Sequence, residues 1–197
     1  MLVLAVMTAD DRERWNARWR AREQPIEEPS PWVVSIGSLL PTTGRALDAA
    51  GGAGRHAIWL ARRGLDVTLV DVSDEAIALA ARAADAAGVR IACVRADFDV
   101  DPLPPGPWDA IVCVHFLDRA LLGRLAAALA PGGTIAFCQP TRRNLERHPQ
   151  PGAAYLLDEG EAPGLFAGLD ILVYDEGWLD AGRHEARVVA RRPTLPP

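Results

Sequence analysis

The chain has 197 residues, 49% hydrophobic and 24% charged, with 17 Gly and 16 Pro; it can bury a full core without disulfide or metal staples. Its formal net charge of −5 argues against a nucleic-acid partner, because phosphate binding shows as a basic excess. All 21 basic residues are Arg, which excludes Schiff-base lysine chemistry and a P-loop lysine.

The N-terminal run Leu2 to Val6 is too short for a signal-peptide core and is followed by Asp10 and Asp11. The charged stretch Asp10 to Glu23, with Trp15 and Trp19 four residues apart, predicts a helix. Pro25 to Pro31 reads as a loop, and Ser30 before Pro31 starts a helix over Trp32 to Leu40, ended by Pro41 to Gly44. From there short apolar runs alternate with Ala-rich stretches, the pattern of an α/β, doubly wound, mostly parallel sheet. Strand 1 is Ala46 to Ala49, followed by a helix from Arg55 to Arg63, then strand 2 at Asp66 to Val70. A helix capped by Ser73 runs to Gly88, and strand 3 is Arg90 to Val94. Strand 4 is Ala110 to Val114, and a helix over Arg119 to Ala130 stops at the breaker Pro131-Gly132-Gly133 before strand 5 at Thr134 to Cys138.

The last third changes character. Pro140 to Asp158 has no period and reads as a long functional loop. A short helix at Glu161 to Ala167 leads to strand 6 at Asp170 to Tyr174, a turn through Gly177 to Gly182, and strand 7 at Glu185 to Arg191. Two strands joined without a helix pair antiparallel, giving seven strands with a C-terminal hairpin. Residues 1–43 are expected to form an N-terminal helical cap and 44–197 a single globular unit.

Cys93, Cys113 and Cys138 lie in apolar runs and match no zinc spacing. Buried reduced thiols, no metal and a cytoplasmic location are therefore expected. No apolar stretch approaches the length that spans a bilayer, so no membrane partner is expected.

The chemistry concentrates in Leu47 to Ala57, where strand 1 runs into glycines at 51, 52 and 54, and in Asp71 at the end of strand 2. The glycines let backbone amides approach a ligand at a helix N-terminus, while Asp71 can accept from ribose hydroxyls. That pattern says nucleoside. Gly52, Gly54 and Ala57 also fit a dinucleotide fingerprint, which leaves a nicotinamide-dependent oxidoreductase open. Asp48 separates the two, since it would repel a pyrophosphate and welcome a cationic amino group.

These residues resemble the class I S-adenosylmethionine-dependent methyltransferases. The resemblance implies a Rossmann-like fold and S-adenosylmethionine as cofactor. Asp48, Ala50, Gly51, Gly52 and Gly54 would line the methionine end, with Ala50 standing where many members have glycine. Asp71, with Val72, would bind the ribose; Asp97 and Phe98 would meet the adenine, and Val114 closes the set. Pro131 to Gly133 and the terminal hairpin also match. Leu157 to Glu161, Leu165-Phe166 and Tyr174 to Trp178 look like the tellurite-resistance and small-molecule branch, which implies a small-molecule acceptor.

His115 ends strand 4 and is read as a general base, against a packing or capping histidine. The neighbouring sequence lacks the Asp/Asn-Pro-Pro-aromatic motif of amino-methylating DNA enzymes, which again disfavours nucleic acid. His56 reads as a packing residue, His148 and His184 as loop residues, and Arg142, Arg143 and Arg147 as a solvated face. A non-catalytic nucleoside-binding module is the remaining alternative.

Overall fold

In the computed structural model residues 9–21 and 28–194 are described, and they divide into two units, Met1–Pro105 and Gly106–Pro197. Arg22, Glu23 and the first three residues of the Pro25 to Pro31 loop lie outside the described residues, as does the run Leu2 to Val6.

The first unit is built on three parallel strands, β1 (Arg45–Ala49), β2 (Asp66–Asp71) and β3 (Ile91–Arg95), in the order β3-β2-β1. Ala46 to Ala49 is buried throughout, as expected of a strand covered on both faces. Helix α3 (Arg55–Arg62) connects β1 to β2, and α4 (Asp74–Ala86) connects β2 to β3. Ser73 caps α4 by accepting from the Ala76 N–H at 3.2 Å, with Asp74 and Glu75 in the first turn. Its Ala76, Ala80 and Ala84 form the buried face, one residue per turn.

Helix α1 (Ala9–Arg20) lies against α4. Arg12 pairs with Asp74 at 2.5 Å, Arg20 with Glu75 at 2.9 Å, and between them buried Asn16 accepts from the Ser73 hydroxyl at 2.7 Å. The helix expected over Trp32 to Leu40 is shorter. Helix α2 covers Pro31–Ser35, and a 3-10 turn follows at Gly37–Leu39. The β-branched Val33, Val34 and Ile36 weaken helix propagation, and the Gly37 carbonyl is taken by Arg63 at 2.7 Å.

The second unit carries β4 (Trp108–Val114), β5 (Leu129–Pro140), β6 (Asp170–Trp178) and β7 (His184–Arg191), in the order β4-β5-β7-β6. β4 and β5 are parallel; β7 runs antiparallel to both β5 and β6. Helix α5 (Arg119–Ala127) is capped by Asp118, whose carboxylate accepts from the Ala120 and Leu121 N–H groups at 2.8 and 3.0 Å. It buries Leu121, Leu122 and Leu125. Phe137 and Phe166 meet edge-on at 5.6 Å in the core beneath. The seven strands form a mostly parallel sheet with an antiparallel C-terminal hairpin, the fold class read from the sequence.

Several boundaries differ from the sequence expectation. Helix α5 stops at Ala127, and β5 begins at Leu129, passing through Pro131-Gly132-Gly133. That triplet extends the strand because its backbone is paired: the Gly132 N–H donates to the Arg192 carbonyl, and the Arg192 N–H to the Gly133 carbonyl, each at 2.9 Å. Only glycine fits at 133, where a Cβ would lie 2.6 Å from the Trp108 carbonyl. β6 reaches Trp178, opposite His184, so the hairpin turn is 179–183. The expected loop from Pro140 holds 3-10 turns at Arg142–Glu146 and Ala153–Tyr155, and the expected helix at Glu161 to Ala167 is a 3-10 turn at Ala162–Phe166, shortened by Pro163 and Gly164. All three cysteines are free; Cys113 and Cys138 are buried, whereas Cys93 on β3 is only partly so.

Candidate functional site

After β1 the first unit turns sharply through residues 50–54 into α3. Gly52 and Gly54 take φ of +56° and +87°, and Ala50 takes +54°, a left-handed conformation that costs a non-glycine residue about 1–2 kcal/mol. Asp48, 1% exposed, accepts at 2.9 Å from the Ala57 N–H in the first turn of α3. Burial pushes its carboxyl up to about 7, against the pull of that N–H and of Arg55. A Cβ on Gly51 would lie 2.7 Å from the Asp48 carboxyl, so the glycine lets the turn close over the acid. Asp48 thus braces the turn from beneath.

Asp71 ends β2. One carboxylate oxygen accepts from the Gly52 N–H at 2.8 Å, the other from the Ser73 N–H at 2.9 Å. Burial raises its pKa, and these N–H groups oppose the rise. Asp71 therefore ties the glycine turn to the cap of α4; the Val72 N–H also acts on the carboxylate, whose acceptor sites are still not all taken. Val72 beside it is buried. After β3, the Asp97 carboxylate accepts from the Asp99 N–H at 3.0 Å while its own N–H donates to Asp101 at 2.9 Å; Phe98 is buried. Helix α1 completes the wall: a Cβ added to Gly52 would lie 2.7 Å from the Trp19 ring. In sequence Trp15, Arg18 and Trp19 read either as a lid over the site or as ordinary helix packing; the α1–α4 packing sets Trp19 at Gly52.

In the second unit, partly buried Val114 leads to His115, which takes φ of +61°. Its N–H donates to the Cys138 carbonyl at 2.8 Å, and its ring Nε2 lies 2.9 Å from Glu185 Oε1. The Cys138 thiol donates to Glu185 Oε2 at 3.1 Å. Glu185 is buried, which raises its pKa; the His115 hydrogen bond and charge and the Cys138 and Arg187 contacts outweigh this and hold it at about 2. Burial, and then Glu185, push the Cys138 thiol well above the usual range. Glu185 escaped the sequence reading. The one local sign was an acid at the start of the mixed strand HEARVVAR, and nothing local connects it to His115, 70 residues earlier.

Of the other residues, His56 packs as expected and Arg142 and Arg147 are exposed as expected, whereas the two remaining histidines are more engaged than loop residues without partners. His184 is buried in β7, bonded to the Thr141 hydroxyl at 2.7 Å and edge-on to Trp178, and His148 contacts the Gly182 carbonyl at 2.7 Å. Neither is a free loop residue. His56 is buried, with Nε2 accepting from the Ser30 N–H at 3.3 Å. The arginines of the expected solvated face are engaged: Arg142 with Asp158 at 2.6 Å, Arg143 with Glu146 at 2.9 Å, and Arg147 over the Trp178 ring at 3.8 Å.

A glycine turn braced by one buried acid and tied by a second to the next helix, on this strand pattern, defines the class I S-adenosylmethionine-dependent methyltransferases. The chain is similar to that class: residues 46–133 match the family described as "Methyltransferase domain". A demethylmenaquinone methyltransferase from Thermus thermophilus is 34% identical over 147 residues, covering 71% of this chain and 59% of that protein. The chain thus spans about three fifths of that relative's length. Two solved structures share the fold at 18% identity. Magnesium protoporphyrin IX methyltransferase from Synechocystis has a TM-score of 0.70, covering 92% of this chain and 97% of that one. TehB from Haemophilus influenzae has 0.69, covering 90% and 67%. The two readings of the glycine turn resolve in favour of the methyl donor. S-adenosylmethionine is the cofactor, and the donor set fits it: an open backbone turn and buried carboxylates with spare lone pairs. Among the described residues no helix is long and apolar enough to cross a membrane.

Proposed function

We propose that the chain transfers the methyl group of S-adenosylmethionine to a small-molecule acceptor in the cytoplasm, with residues 1–43 acting as a cap on the 44–197 domain. The observation that carries the reading is Asp71, a buried carboxylate at the end of β2 that gathers the Gly52 and Ser73 amides yet keeps acceptor capacity toward a ribose. Asp48, Ala50, Gly51, Gly52 and Gly54 would hold the methionine end, Asp71 and Val72 the ribose, and Asp97 and Phe98 the adenine; the resemblance also counts Val114 in the set. When bound, the cofactor supplies a methyl group already activated by a sulfonium charge.

The protein's tasks are then positioning and exclusion of water, worth up to about 7–11 kcal/mol in well-oriented reactions. Its φ of +61° and its fixed ring support His115 as the base that takes a proton from the acceptor. The net charge of −5 supports a small molecule over a nucleic acid, and the three free cysteines support a cytoplasmic location.

The test is incubation with methyl-deuterated donor and a panel of phenols, thiols, selenium and tellurium oxyanions, and RNA, read by mass spectrometry. A labelled small molecule is the expected result. Donor binding with nothing labelled would leave a non-catalytic binding module, and label in RNA alone would overturn the acceptor class.

A further inference from the structure

From the geometry around His115 we infer that Glu185 is a positioning residue that fixes the His115 ring as a base acting through Nδ1, which commits the site to acceptors carrying an O–H. This rests on the methyl-transfer reading above and names the acceptor chemistry within it.

Glu185 is held at the end of β7, where it faces Pro140 across β5, while Cys138 on β5 and His115 after β4 come to its two oxygens. The Cys138 thiol keeps its proton and donates it to Oε2, so this carboxylate is an ionised acceptor on both sides. Nε2 must therefore be the protonated ring nitrogen in neutral His115, which leaves the Nδ1 lone pair free. The ring is 31% exposed whereas Glu185 is buried, so the free nitrogen belongs to the accessible partner. Arg187 and Arg183 reach the same carboxylate at 3.6 and 3.8 Å.

The donor atoms of His115, Cys138 and Glu185 lie within 4.8 Å of one another, close enough to invite a cation. Two guanidinium groups beside the carboxylate and a protonated thiol oppose that reading. What the cluster offers instead is a base whose positive charge, once it accepts a proton, rests on a buried carboxylate. In the reaction the acceptor O–H proton passes to Nδ1 as the oxygen's electron pair forms the new O–CH3 bond and the C–S bond breaks with its pair to sulfur. The imidazolium then returns the proton to water. A thiol acceptor, with a pKa of about 8.5 and a highly nucleophilic thiolate fraction already present near neutrality, gains far less from such a base.

The experiment compares wild type with Glu185→Gln by long-range proton–nitrogen NMR of the His115 ring, above the pH at which the ring is neutral. Wild type is expected to carry the ring proton on Nε2. In the variant the amide oxygen is drawn to the Cys138 and Arg187 donors and its NH2 faces His115, so the proton moves to Nδ1. A misfolded variant would not give one clean tautomer; Glu185→Asp, which keeps the charge, should retain Nε2–H. In parallel, kcat for hydroxyl acceptors is expected to fall by about 10²–10⁴-fold in Glu185→Gln with KM little changed, and for thiols to hold.

A wild-type ring protonated on Nδ1, or a thiolate–cobalt absorption band on adding Co2+, would overturn the proposal. Tautomer exchange with no methyl transfer to any acceptor would contradict the proposed function alone. Hydroxyl transfer that survives Glu185→Gln would overturn the dyad alone.

Discussion

Replacing Asp48 with Asn tests whether burial, rather than a ligand, sets the state of the acid beneath the glycine turn. Burial lifts Asp48 from its ordinary value of 3.8 to about 7 while its oxygen accepts from the Ala57 N–H. An acid whose folded-state pKa lies above its unfolded one holds its proton more tightly in the folded chain. Its contribution to stability is therefore complete at low pH and is lost as pH rises from about 4 to about 7. About three pKa units at 1.36 kcal/mol each amount to roughly 4 kcal/mol, of which about 3 is lost above pH 5. Asn keeps an oxygen for the Ala57 N–H and carries no charge. Urea denaturation of Asp48→Asn and wild type near pH 5 and near pH 8 should show the variant gaining about 3 kcal/mol on wild type between the two conditions. A gap that does not change with pH, or that moves the other way, would refute the burial argument.

Ala50→Gly should relieve the +54° backbone and leave stability equal or raised by about 1 kcal/mol, read as a shift in Tm; a clear loss would show that the Ala50 methyl packs usefully. Ser73→Ala removes the α4 cap and the Asn16 partner together and should cost about 1–2 kcal/mol by denaturant titration, while an unchanged midpoint would dismiss the α1–α4 anchor. Gly133→Ala pushes a Cβ against the Trp108 and Ala130 carbonyls and should destabilise by about 1–3 kcal/mol; near-neutrality would mean that β4 and β5 give way there.

The parts of the fold legible in the sequence are those with local causes. Ser73 and its two following acids mark the start of α4, and the glycines with flanking Asp48 and Asp71 mark the turn before any coordinates are known. Pro131-Gly132-Gly133 misleads for the opposite reason: locally it breaks structure, but pairing with the backbone of Arg192, remote in sequence, makes it strand. His184 and Glu185 follow one another in a strand that looks merely amphipathic, yet one faces Thr141 and the other His115. Such partners depend on the β4-β5-β7 register, which no window of the sequence contains. Ala50 was readable as a departure from glycine, and its left-handed φ gives that departure a definite energetic cost.

The most direct test of the account is calorimetric titration of S-adenosylmethionine, S-adenosylhomocysteine and NAD into wild type and Asp71→Asn. The variant keeps one carbonyl oxygen for the turn but loses the charge that both ribose hydroxyls would meet. The account predicts binding of the two sulfur nucleosides, weakened at least about tenfold in the variant, a change of about 1.4 kcal/mol, and no binding of NAD. Binding of NAD in their place, or affinity for the sulfur nucleosides that ignores Asp71, would contradict it.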